Sequence, residues 1–126
     1  MITISLDFDG TVCRHRYPKV GSDLPFCVDV LKTLVSKNVK ICLNTMRPSG
    51  KMLDDAVNWF KERNIPLYGI NVNPDQKSWT DSPKVYGHII IDDTAIGCPV
   101  VYDIITGDRY VDWEKITTIL IDEGIL

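Results

Sequence analysis

Three isoleucines in succession, Ile89, Ile90 and Ile91, stand directly before two aspartates, Asp92 and Asp93. A strand with one face in water alternates apolar and polar residues. An unbroken β-branched run instead suits a strand buried on both faces, as in a parallel sheet. Parallel neighbours need crossover connections, usually helical, so the rest of the chain should alternate strand with helix.

It does. Ile2 to Phe8 alternates and is rich in Ile and Leu, which predicts a first strand. Asp9 to Asp23, with Gly10, Pro18 and Gly21, reads as a loop or small flap. Leu24 to Asn38 places Cys27, Val28, Leu31, Leu34 and Val35 on one helical face, with Ser22 or Asp23 as N-cap. Val39 to Asn44 is a second strand, Lys51 to Arg63 a second helix and Leu67 to Val72 a third, shorter strand. Asn73 to Ser82 is polar loop. After the isoleucine run, VVYDIITGDRYV predicts two strands around a Thr-Gly-Asp turn, and Trp113 to Glu123 a last helix capped by Asp112. The 126 residues fit one domain, residues 1–126. Its expected class is α/β, Rossmann-like, with a mostly parallel central sheet and helices on both faces.

Composition narrows the setting. A formal net charge of −3 argues against a nucleic-acid-coating surface. No apolar run approaches the roughly 20 residues of a membrane span, and no signal peptide is visible. The four cysteines, Cys13, Cys27, Cys42 and Cys98, form no Cys-x-x-Cys pair, which suits free thiols in a cytoplasmic protein. Cys27 and Cys42 sit in apolar patterns and are expected in the core.

The chemistry lies at the strand ends. The first strand ends in Asp7 and Asp9, the second in Thr45, and the fourth in Asp92 and Asp93; in a parallel open sheet these ends share one edge, where ligands bind. Lys84, in the loop before the fourth strand, can reach the same edge. Clustered carboxylates raise one another's pKa unless neutralised. A hard divalent cation relieves them, and Mg²⁺ takes a few oxygen ligands plus water. A hydroxyl and an ammonium would then suit a second anion, most simply a phosphate. Singly, each piece has a plainer reading: Asp-x-Asp-Gly as a turn, Asp92-Asp93 as a helix cap, Lys84 as a solvated side chain. Their joint occurrence in this order predicts a metal and phosphate site.

LDFDGT, LNTMR and PKVYGHIIIDD together resemble the four ordered motifs of the haloacid dehalogenase-like (HAD) hydrolases, over Ile2 to Thr94. HRYPKVG is similar to the flap of small members. The resemblance implies a phosphatase in which Asp7 is the nucleophile, forming an aspartyl-phosphate, and Asp9 the general acid and then base. Mg²⁺ would be held by Asp7, the Asp9 carbonyl and Asp92, with Asp93 a direct or water-mediated ligand. Thr45 and Lys84 would grip the phosphate, with Gly10 beside them. Neither interval between motifs has room for a cap domain, which resembles the capless class acting on bulky phosphate esters or borrowing a lid from another subunit in a homo-oligomer. A small phosphorylated metabolite is the other substrate class.

Beyond the motifs, Arg47 at the rim suits phosphate oxygens through its guanidinium fork. Arg14, His15, Arg16 and Tyr17 form a candidate substrate flap, or else a solvated loop. Two further readings stay open. A phosphate-binding or phosphoacceptor regulatory module lacking turnover is disfavoured because strand three ends in Val72-Asn73, with no aspartate. A polynucleotide-end phosphatase is disfavoured by the net negative charge and the absence of a long basic stripe.

Overall fold

The computed structural model describes residues 1–126. β1 (Thr3–Leu6) is its central element, flanked in parallel by β4 (Lys40–Leu43) on one side and β6 (Ile89–Ile91) on the other; β5 (Gly69–Ile70) pairs with the far side of β4. Register explains the burial. Ile4 pairs with Ile41 and Ile89, and Leu6 with Leu43 and Ile91, so one sheet face is uniformly aliphatic. Onto it pack Leu31 and Leu34 from α1 (Cys27–Ser36), Ala56 and Phe60 from α2 (Lys51–Glu62), and Ile116 and Leu120 from α3 (Trp113–Asp122), all in one buried cluster. Cys27 and Cys42 are buried free thiols, as expected.

The expected helices on both faces are not what forms. The steps β1 to β4 to β5 run in one direction, and right-handed crossovers put α1 and α2 on the same face; α3 packs against α1. The opposite face, bearing Thr3, Ser5 and Cys42, is covered by the segment between β5 and β6. That stretch is too polar for an amphipathic helix and forms only a 3-10 helix, Pro74–Ser78. Carboxamides hold it in place of an apolar stripe. Buried Gln76 donates to the carbonyls of Ser82 and Lys84 at 3.0 and 2.9 Å and accepts from the Tyr86 N–H at 2.9 Å. Gly87 lies so close to β1 that a Cβ there would stand 2.7 Å from the Ser5 nitrogen.

Two other expectations shift. Ile90 is 52% exposed, because β6 is an edge strand rather than one buried on both faces. Ser22 and Asp23 do not cap α1; they end a strand, and the helix starts after Phe26, whose φ is 67°. Asp23 instead accepts from Trp59 Nε1 at 2.8 Å and from Arg63. Two antiparallel hairpins complete the chain: the flap, β2 (Cys13–Arg16) with β3 (Lys19–Asp23), and β7 (Val100–Tyr102) with β8 (Arg109–Val111). No helix is long and apolar enough to cross a membrane.

Phe8, between the two aspartates, is fully buried against Trp59 and Phe60, with ring centroids 5.9 and 6.1 Å away. Its alternation away from Asp7 and Asp9 thus anchors the site loop to α2. Phe8→Ala should destabilise the fold by about 3–5 kcal/mol, read as a lower midpoint in urea denaturation.

Candidate functional site

The carboxyl ends of β1, β4 and β6 meet at one edge, and there the side chains of Asp7, Asp9, Thr45, Asp92 and Asp93 line a cleft of about 460 Å³. Carboxylate oxygens of Asp7, Asp92 and Asp93 lie within 4.8 Å of one another. The Asp7 N–H donates to the Ile91 carbonyl at 3.0 Å, which ties the two strand ends directly.

A residue that sequence reasoning left without a role organises this trio. Thr11 Oγ1 donates to Asp7 Oδ2 at 2.7 Å and accepts from the Asp93 N–H at 3.1 Å. Thr11 is itself fully buried, and its carbonyl accepts from Trp113 Nε1 at 2.7 Å. Gly10 has φ 79°, and a Cβ there would stand 2.5 Å from Asp93 Oδ2. Gly10 was expected beside a phosphate; its place in the structure is to leave room for the Asp93 carboxylate. Arg109, from β8, donates to the Asp93 carbonyl and stands 3.8 Å from Asp93 Oδ2. The only local signal for Thr11 was its place in DxDGT. Arg109 and Trp113 had none, since their contacts span 16 and 102 positions.

Burial sets the electrostatics. It pushes the Asp7 carboxyl up to about 7, against the opposing Thr11 hydrogen bond and with help from the charge of Asp92. Asp93 is raised too, first by burial and then by Asp92, with the Arg109 charge opposing. The donor set is hard oxygen, crowded and disfavoured as bare anions, which is what a divalent cation would relieve. Asp9 differs: its carboxylate lies outside the trio. Only its carbonyl is available for the expected metal role, and that carbonyl accepts no hydrogen bond from the chain.

The Asp9 carboxylate belongs to Arg47. Nε donates to Oδ2 at 2.9 Å and Nη2 to Oδ1 at 2.8 Å. The three remaining guanidinium donors go to the carbonyls of Pro18, Met52 and Lys19, each at 3.0 Å. With its side chain 1% exposed and all five N–H groups committed, Arg47 is no rim ligand for phosphate. The expectation failed because two residues past a strand end looked like surface, whereas the flap folds over it. Thr45 does line the cleft; its N–H donates to Asn71 Oδ1 at 2.8 Å. Lys84 is exposed and does not line it. Of the flap residues, His15 and Tyr17 line the cleft. Arg14 and Arg16 turn to the β7–β8 hairpin instead, 3.1 and 2.9 Å from Asp108. Asp92 caps no helix; its Oδ1 accepts from the Thr94 N–H at 2.9 Å in a turn.

The raised Asp7 has a measurable consequence. Its folded-state pKa of about 7 exceeds the ordinary 3.8, so between those values the folded state binds the proton more tightly than the unfolded chain. Stability therefore falls as pH rises through that window. Asp108, lowered first by its hydrogen bond with Arg16, contributes nearly fully throughout the window and does not mask the trend. In chelator, the melting temperature should fall from pH about 4 to about 7, and Asp7→Asn should flatten the fall. A melting temperature that climbs across the window would contradict the burial argument.

No family model and no curated protein matches the chain. A solved structure of a conserved protein from Bacteroides thetaiotaomicron superposes with a TM-score of 0.77 and 32% sequence identity, covering 98% of this chain and 91% of that one. At that identity across nearly the full length of both, the chain belongs to one family with this conserved Bacteroides protein.

Proposed function

We propose that the chain is a Mg²⁺-dependent phosphomonoester hydrolase of the HAD type, working through an aspartyl-phosphate on Asp7. The observation that carries this reading is the half-buried trio Asp7, Asp92 and Asp93 with Asp9 opening into the same cleft. A bound Mg²⁺ would offset the carboxylates' charge and polarise the phosphoryl oxygens. Asp7, Asp92 and Asp93 would hold it, with the Asp9 carbonyl.

Asp7 Oδ attacks phosphorus while the bond to the leaving oxygen breaks, and Asp9 delivers a proton to that oxygen. Asp9 then takes a proton from the water whose oxygen displaces Asp7, releasing inorganic phosphate. Thr11 keeps the Asp7 carboxylate oriented through its 2.7 Å hydrogen bond. With Arg47 consumed and Lys84 outside, and the Thr94 and Tyr17 hydroxyls donating to Asp92 and Met52, Thr45 is the cleft hydroxyl left for phosphate oxygens. Hydrolysis should therefore depend steeply on the cation. The intervals between site segments hold only the flap hairpin and α1, then α2, β5 and the 3-10 helix, which supports a capless enzyme whose flap forms one wall.

Hydrolysis of p-nitrophenyl phosphate with and without Mg²⁺ tests this. Asp7→Asn should fall to background and Asp9→Asn should lose about 10²–10⁴-fold in kcat; equal rates in wild type and Asp7→Asn would sink the assignment. A second reading, a phosphoacceptor module without turnover, is favoured by one observation: both Asp9 oxygens are occupied by Arg47. A slowly decaying phosphoprotein after acetyl phosphate treatment would select it.

A further inference from the structure

We propose that Arg47 is the positioning residue for the proton-transfer group Asp9, acting as a clamp that fixes Asp9 and the flap as one unit; this rests on the hydrolase reading above. The fork grips both Asp9 oxygens at 2.8 and 2.9 Å. That sets the plane and rotamer of the carboxylate and leaves one lone pair on each oxygen for a proton. The same guanidinium holds the carbonyls of Pro18 and Lys19, the turn of the flap, and of Met52 in α2. Its centre lies 5.3 Å from the Tyr17 ring, and Tyr17 forms a cleft wall. The distance between Asp9 and that wall is therefore set by one side chain. The Arg47 N–H also donates to Thr45 Oγ1 at 3.2 Å, so the segment orders both sides of the cleft.

No other residue on these elements can substitute. An ammonium has three donors and no planar fork, so lysine cannot hold a carboxylate in plane and three carbonyls together. If Arg47 works through Asp9, its loss should be felt where the leaving oxygen needs a proton. Alkyl phosphates need it; p-nitrophenyl phosphate, whose leaving group is stable as an anion, needs it little.

The experiment compares Arg47→Lys and Arg47→Gln with wild type on both esters under saturating Mg²⁺, with melting temperatures alongside. The expected result is leaving-group release in the first turnover, before the shared hydrolysis step, slower by about 100-fold with an alkyl phosphate and by less than about 10-fold with p-nitrophenyl phosphate, in proteins that still melt cooperatively. Equal losses on the two esters would overturn the proposal. So would loss of folding in both variants, which would make Arg47 a structural ion pair alone. Wild type inactive on both esters would instead be a failure of the hydrolase reading.

Discussion

Everything at the sheet edge depends on the single hydroxyl of Thr11. Three carboxyl groups sit within a few ångströms in partial burial, an arrangement that water would ordinarily disperse. Thr11 donates to one of them and accepts from the backbone of another, so two strand ends with mutually repelling side chains are stitched by one polar atom. The Thr11 carbonyl is held in turn by Trp113, at the start of the last helix. A buried indole N–H without a partner is unfavourable, so α3 docks in a way that meets that need and fixes the Thr11 backbone. The geometry of residues near the N-terminus is therefore not local.

The sheet and the positions of Asp7, Asp9, Thr45, Asp92 and Asp93 at its edge were legible in the sequence, because strand periodicity and strand-end position are short-range properties. The returning strand after the Thr-Gly-Asp turn and the Asp112 cap were legible for the same reason. What was not legible is longer in range. Arg47 reads as a rim cation until the flap closes over it, and Lys84 reads as a ligand until Gln76 pins its backbone elsewhere. The second sheet face also misled, since its cover is built from carboxamide hydrogen bonds, which leave no periodic trace.

The flap is held from two sides by interactions of unequal character. Inside, Arg47 reaches the flap turn from a nearly water-free position; outside, Arg14 and Arg16 meet Asp103 and Asp108 on the second hairpin. Pairs of the second kind, partly open to water, are weaker restraints and are screened by salt. A buried fork with every donor filled is a much stiffer restraint. The cleft wall should thus move about its inner anchor. The charges of Arg14 and Arg16 are thus spent on the scaffold rather than on a ligand.

The exposed edge of β6 adds a different consequence. Three consecutive isoleucines on an open strand are a template for unwanted pairing with another chain. The strand is only three residues long and runs straight into Asp92 and Asp93. Charges in that position are gatekeepers: they interrupt a neighbour's register before it can extend. The aspartates that build the candidate site therefore also guard the chain against self-association, and replacing them risks solubility as well as chemistry.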